Sequence, residues 1–135
     1  KESIKKHLEE VGGYEIVDFG THSTDSVDYA EIAYKVGNAA IESKEKVLGI
    51  LCCGTGIGIS IAANKVKGIR CALLSDILSA KMTRLHNDTN MMALGAGIVG
   101  ENLALEIVDT WLSTPFSGEP RHQRRIDKVM ALEQE

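Results

Sequence analysis

The sequence predicts an α/β fold with a mostly parallel sheet and helices on both of its faces. Short apolar segments typical of strands alternate along the chain with segments in which apolar residues recur at helical spacing. Residues 47–52 form a continuously apolar run, which is typical of a strand covered on both sides. A glycine-rich loop follows this run directly, where a parallel sheet would pass from a strand into a helix.

Each element follows from its local pattern. Ile4, Leu8 and Val11 lie at helical spacing, and the glycine pair after them ends this first helix. The predicted strands are Tyr14–Phe19, Val47–Cys52, Arg70–Ser75 and Asn90–Gly95. Further helices are predicted over residues 27–42, 58–66, 77–85 and about 101–112. Pro120 suits the first position of a helix, so a final helix over residues 120–134, with its own apolar stripe, is predicted as an appendage.

Composition restricts the classes of protein that the chain can represent. Its 135 residues fit a single domain, residues 1–135, and its net charge of −4 does not suggest nucleic acid or an acidic membrane as a partner. Apolar runs are too short to span a bilayer. Three cysteines, two of them adjacent, form neither a disulfide framework nor a zinc site. We therefore expect a cytoplasmic protein that binds no metal, nucleic acid or membrane.

The loop Cys53–Gly58 is the main candidate for a functional site. Glycines free backbone N–H groups to face a ligand, and the N-terminus of the helix that follows favours an anion. A cysteine beside such a site can act as a base or nucleophile. The loop therefore predicts a phosphate-ligand site with Cys53 as its reactive group. The alternative is a turn that only lets strand and helix pack closely.

A dinucleotide site is a weaker interpretation of the same loop. Its glycines give G-x-G-x-G, and Ile59 occupies the third position of the G-x-G-x-x-G fingerprint. Asp76 does lie about 20 residues further on, where an acidic residue would contact a ribose. The Walker pattern is absent, because no Gly-Lys-Ser/Thr follows the loop.

Polar residues further along the chain suggest acid–base chemistry on a phosphorylated substrate. His86, at a predicted helix end, either contacts the last carbonyls or donates a proton to a sugar ring oxygen. Arg121 and Arg125 share one helix face and suit a phosphate dianion, although a solvated basic face is the alternative. With the thiol of Cys53 and the hydroxyl of Thr55, they suit proton abstraction beside a carbonyl.

Several motifs in one order along the chain resemble those of ribose-5-phosphate isomerase B. This family also includes galactose-6-phosphate and allose-6-phosphate isomerases. The motifs are Cys53–Lys65, Gly68–Arg70, His86–Asn90, Val108–Leu112 and Arg121–Arg125, with weaker matches at Asp18–Thr21 and Val27–Tyr29.

The resemblance implies an aldose–ketose isomerase that acts through a cis-enediolate without metal or cofactor. The expected reaction interconverts ribose 5-phosphate and ribulose 5-phosphate. The implied catalytic residues are Cys53 as the base, His86 as the proton donor in ring opening, and Thr55 beside the oxyanion. The implied substrate-binding residues are Gly54, Thr55, Gly56, Ile57 and Gly58 around the oxyanion, Asn87 on hydroxyls, Arg121 and Arg125 on the phosphate, and Tyr29 lining the pocket.

The resemblance also implies a fold and an assembly. Members of the family have a Rossmann-like three-layer αβα fold with a five-stranded parallel sheet, and they form homodimers or homotetramers. Their C-terminal helix, residues 120–134 here, docks on the partner subunit, so each site is built from two chains.

The sequence departs from the family at three places. Members begin with a strand ending in Asp-His, and Lys1 aligns just after it, so one strand and two site residues are expected to be missing. Gly97 stands where ribose-phosphate members carry a phosphate-binding arginine, and Ala30 replaces a proline. A six-carbon substrate, allose 6-phosphate or galactose 6-phosphate, therefore remains an alternative. A non-enzymatic phosphate-ligand binding module and a structural dimerisation protein are the others.

Overall fold

The alternation of strands and helices is confirmed by a computed structural model that describes residues 1–20, 28–42 and 47–134. Its helices are α1 Glu2–Val11, α2 Tyr29–Glu42, α3 Ile57–Asn64, α4 Ile77–Asn87, α5 Glu101–Ser113 and α6 Pro120–Ala131. Its strands are β1 Gly49–Cys53, β2 Cys71–Leu73 and β3 Met91–Gly95. A 3₁₀ turn, Leu132–Gln134, follows α6. Thr21 and Val27, from the two weaker motif matches, lie outside the described residues.

The sheet is parallel, as predicted, but it is smaller than the family resemblance implies. The described residues form three strands in the order β1-β3-β2, so five strands are not confirmed. Gly49 lies opposite Met91 and Cys53 opposite Gly95, so β1 and β3 end side by side. Every residue of β3 is buried, as expected for the central strand of a parallel sheet.

The predicted strand Tyr14–Phe19 is wrong, because this segment forms no strand. Its apolar and polar residues alternate, but a strand also needs a hydrogen-bonded neighbour. A cleft of about 940 Å³ is lined both by this segment, including Ile16, and by β1, including Ile50. Val17 is consequently 65% exposed.

Apolar side chains form a cluster on each face of the sheet, which gives three layers. Residues of β3 contribute alternately to the two faces, as the pleat of a strand requires. On one face α1, α4 and α5 bury Ile4, Leu8, Ala80, Met92, Leu94, Ile107, Val108 and Trp111. On the other face α2 and α3 bury Ala33, Leu51, Ile59, Ala63, Ile69, Met91 and Ala93.

Helix α6 packs against α4 of its own chain. His122 and Ile126 are buried there, so one part of this helix is covered within its own chain. Val129 and Leu132 remain 56% and 63% exposed. Docking of residues 120–134 on a partner subunit stays a prediction. None of the described helices is both long and apolar enough to cross a membrane.

Candidate active site

The glycine loop lies at the carboxyl edge of the sheet, where it was predicted. Two hydrogen bonds join it to the turn after β3: Ala96 N–H donates to the Cys53 carbonyl, and Gly97 N–H donates to the Gly54 carbonyl, both at 2.8 Å. Ligands of parallel α/β sheets bind at this edge. The end of β1 and the end of β3 thus form one rigid platform that carries Cys53.

Close packing explains two of the glycines but not Gly54. A Cβ on Gly95 would lie 2.4 Å from the Thr55 carbonyl oxygen. Gly56 has φ of +77°, and a Cβ there would lie 2.9 Å from the backbone of Leu94, so only glycine fits at either position. A Cβ on Gly54 would meet nothing within 4 Å. Gly54 therefore leaves an open space beside Cys53.

The start of α3 presents backbone donors to this space. The Thr55 hydroxyl accepts the N–H of Ile57 at 3.2 Å and so satisfies one of the first N–H groups of the helix. In the part of the chain that the structure describes, the N–H groups of Gly54, Gly56 and Gly58 have no protein acceptor. Free N–H groups at a helix N-terminus favour an anion or a developing oxyanion.

Tyr29 lies against the same loop, as the family resemblance implies for a pocket residue. A Cβ on Gly58 would lie 2.6 Å from Cζ of the Tyr29 ring and 2.8 Å from its hydroxyl oxygen. Tyr29 is itself 45% exposed. Its ring therefore forms one wall beside the loop.

The three thiols have different surroundings. Cys52 and Cys53 are both half-buried and face opposite sides of the sheet, since Cys52 packs on the first apolar cluster and Cys53 on the second. Burial raises the pKa of Cys52, and it raises the pKa of Cys71 to about 12. Both of these therefore remain thiols near neutral pH. Within the described ranges, no three His, Cys, Asp or Glu side chains form a metal site.

His86 and Asn87 lie at the other edge of the sheet. They end α4, which runs back from the carboxyl edge to the start of β3. Arg70, just before β2, donates from Nε to the Asn87 carbonyl at 2.9 Å, which places this turn at the amino edge. Since β1 has five residues, about 13 Å of strand separates the two edges. The structure therefore does not bring His86 and Cys53 of one chain together.

A buried arginine, which the sequence patterns did not single out, supports this amino-edge turn. Arg84 is 2% exposed; it donates to the carbonyl of Thr89 and, at 3.1 Å, to that of Thr114. Its guanidinium lies over the Trp111 ring, 5.4 Å from the centroid. The spacing in the sequence could have indicated its burial. Arg84 follows Ala80 by four residues, so the two share one face of α4, and that face is buried.

Helix α6 brings a second histidine to the same turn. The rings of His86 and His122 lie with their centroids 4.3 Å apart. His122 is only 5% exposed, and its Nδ1 is 2.7 Å from the Ser117 hydroxyl. Burial lowers the pKa of His122, and the neighbouring His86 lowers it further. The sequence singled out the arginines of α6 but gave this histidine no role.

Arg121 and Arg125, the two arginines of α6 that were predicted to bind phosphate, are exposed. Arg121 Nε donates to Glu119 at 2.7 Å, so one of the two predicted phosphate ligands is paired within the chain. Arg125 lines a cleft of about 800 Å³ together with Asn87 and Arg70. The predicted site residues therefore form two groups. The carboxyl-edge group is Cys53, Gly54, Thr55, Gly56, Ile57, Gly58 and Tyr29, and the amino-edge group is His86, Asn87, Arg121 and Arg125.

Comparisons with known proteins agree with the resemblance seen in the motifs. The sequence profile described as Ribose/Galactose Isomerase matches residues 1–129. The chain is 47% identical over 134 residues to ribose-5-phosphate isomerase B of Escherichia coli and covers 88% of it, with 99% of this chain matched.

Solved structures agree in fold. Ribose-5-phosphate isomerase B of Clostridium thermocellum superposes with a TM-score of 0.92 at 50% identity, covering 98% of this chain and 88% of that one. The enzyme of Mycoplasma genitalium with bound ribulose-5-phosphate superposes with a TM-score of 0.93 at 39% identity, covering 100% and 88%. The profile and these relatives together show that the chain belongs to the ribose/galactose isomerase family.

Proposed function

We propose that the protein interconverts ribose 5-phosphate and ribulose 5-phosphate, with Cys53 as the base. One observation carries this proposal: Cys53 ends β1 beside the N-terminus of α3, where the N–H groups of Gly54, Gly56 and Gly58 have no acceptor among the described residues and a Cβ on Gly54 would meet nothing within 4 Å. Family membership supports an isomerase, and relatives named for ribose 5-phosphate support a five-carbon substrate. Thr55 and the loop Gly54–Gly58 bind the reacting end of the sugar, and Tyr29 lines that pocket.

The chemistry is a proton transfer between two adjacent carbons. As the base, Cys53 takes the proton from C2 of the open-chain aldose. The electron pair of the broken C2–H bond forms the C1–C2 double bond of an enediolate, and the C1 carbonyl pair moves onto the C1 oxygen. The negative charge that develops on the oxygen is stabilised by the loop N–H groups. The proton of the C2 hydroxyl moves to the C1 oxygen, Cys53 returns the carbon-bound proton to C1, and the C2 carbonyl of the ketose results with no atoms or electrons gained or lost.

We further propose that each site is completed by a second copy of the chain. His86 as the acid for ring opening, Asn87 on hydroxyls and Arg121 with Arg125 on the phosphate lie at the edge opposite Cys53. A partner that presents its amino-edge turn to the glycine loop brings the two groups together. Beside the loop α3 exposes an apolar face, with Ile57 52% and Ile61 56% accessible, of the kind that protein interfaces cover.

Replacement of the thiol separates catalysis from binding. We expect Cys53→Ala to bind ribulose 5-phosphate with little change but to turn over at least about a hundredfold more slowly. Cys52→Ala, on the opposite face of the same strand, is the matched control and should keep its activity. Unchanged turnover in Cys53→Ala would favour the non-enzymatic binding module.

Mixing two inactive variants tests the shared site. If Cys53 of one subunit works with His86 of the other, a dimer of a Cys53→Ala chain and a His86→Ala chain contains one intact site. Refolding the two variants together at equal amounts should then recover about one quarter of the wild-type rate. If each site belonged to one chain, mixing would recover nothing.

A six-carbon substrate is the second candidate, and Gly97 is the observation that favours it. The turn after β3 lies next to the loop, and at Gly97 no side chain extends over the substrate space. A coupled assay on ribose, allose and galactose phosphates would decide between them. Faster turnover of a six-carbon phosphate would replace the five-carbon substrate but keep the Cys53 mechanism.

A further inference from the structure

Hydrogen bonds of Ser117 support the ring contact between His86 and His122. Ser117 N–H donates to the carbonyl of Leu85, the residue before His86, at 3.1 Å. Its hydroxyl lies 2.7 Å from Nδ1 of His122. The His122 ring in turn lies 4.3 Å from the His86 ring. Ser117 therefore fixes the buried histidine against the same helical turn that carries the exposed one.

The hydrogen bonds around His122 fit a neutral ring. The Ser117 hydroxyl oxygen accepts the N–H of Glu119 at 3.2 Å, and its own proton is available to Nδ1 of His122, 2.7 Å away. We assign the neutral ring with its proton on Nε2. The groups whose charge acts on it are His86 on α4, Glu119 just before its own helix, and Arg121 and Arg125 within that helix. Two of these are cations, which oppose a second positive charge on His122.

We propose that His122 is a positioning residue for His86, holding its ring where it protonates the sugar ring oxygen. This inference rests on the proposed function. An exposed histidine at a helix end has several rotamers available. Contact with the buried His122 ring, which Ser117 holds in place, restricts the rotamers of His86. A neutral His122 provides that contact without competing for the proton that His86 delivers.

Two substrates separate ring opening from the later proton transfer. Ribose 5-phosphate is mainly a furanose and must be opened before C2 can react. Ribulose 5-phosphate cannot close to a furanose, because its C5 oxygen carries the phosphate. Exchange of its C1 hydrogen with deuterium from solvent therefore needs Cys53 but not the ring-opening acid.

The test compares Ser117→Ala, Ser117→Thr and His122→Asn in both assays. We expect Ser117→Ala to slow ribose 5-phosphate conversion roughly three- to tenfold, the effect of one hydrogen bond. His122→Asn should slow it by about tenfold or more, as for a displaced acid. Deuterium exchange should stay within about twofold in all three, and Ser117→Thr, which keeps the hydroxyl, should match the wild type in both assays.

Each contrary outcome has a distinct meaning. A parallel fall of conversion and exchange would overturn the positioning role, because the damage would then be general. Unchanged conversion in both Ser117→Ala and His122→Asn would also overturn the positioning role. If His122→Asn does not fold, the comparison of Ser117→Ala with Ser117→Thr decides. If His86→Ala converted ribose 5-phosphate at the wild-type rate, His86 would not be the ring-opening acid, and the positioning role of His122 would be refuted. Wild-type protein inactive on both sugars would refute the proposed function instead.

Discussion

Replacement of Gly95 by alanine should move the glycine loop as a unit. The new Cβ would lie 2.4 Å from the carbonyl oxygen and 2.6 Å from the carbonyl carbon of Thr55, whereas ordinary contact begins at 3.4 Å. The obstacle is backbone, so no side-chain rotation relieves it, and the loop must shift by about 1 Å. Overpacking of this kind costs about 1–3 kcal/mol of folding stability.

The expected catalytic effect is larger than the effect on stability. Displacing a reacting group by about 1 Å costs on the order of a hundredfold in rate, so kcat of Gly95→Ala for ribose 5-phosphate should fall by that factor. Gly100→Ala is the control, because a Cβ there meets nothing within 4 Å. Steady-state kinetics and thermal unfolding of both variants are the measurements. A folded Gly95→Ala protein with wild-type kcat would refute the assumption that loop position limits turnover.

Three further predictions concern other groups of the molecule. Iodoacetamide should inactivate the enzyme by modifying Cys53, with protection by substrate, and should spare Cys71, whose pKa burial raises to about 12; peptide mass spectrometry that found Cys71 modified first would contradict this. Because the pKa of His122 is lowered in the folded state, the unfolded chain takes up its proton first on acidification, so stability should fall as the pH drops below about 6.5. In His122→Phe this part of the dependence of Tm on pH should disappear, and an unchanged slope would exclude His122 as its source. Arg84→Met should lose about 2–4 kcal/mol in urea unfolding, because two backbone carbonyls lose their donor; a loss below about 1 kcal/mol would show that water replaces it.

Local sequence patterns correctly predicted those helices and strands whose apolar faces are buried in the structure. The run 47–52 is apolar on both faces and forms β1 with a shift of two residues at its start. The segment Tyr14–Phe19 alternates equally well, yet it pairs with nothing. The spacing of apolar residues indicates which faces of a segment are apolar. Strand formation also requires hydrogen bonds to a neighbouring strand, and the sequence of the segment does not show whether one is present.

The division of the site between two edges was implicit in the order of the elements. A residue that follows a parallel strand, such as Cys53, lies at the carboxyl edge. A residue that ends the helix before a strand, such as His86, must lie at the amino edge, because the helix has crossed back over the sheet. Motif matching assigned both residues to one reaction through their chemistry, and the family resemblance implied a site built from two chains. If both residues serve one reaction, as proposed, the length of a strand keeps them apart within one chain, and a second chain is needed for them to meet.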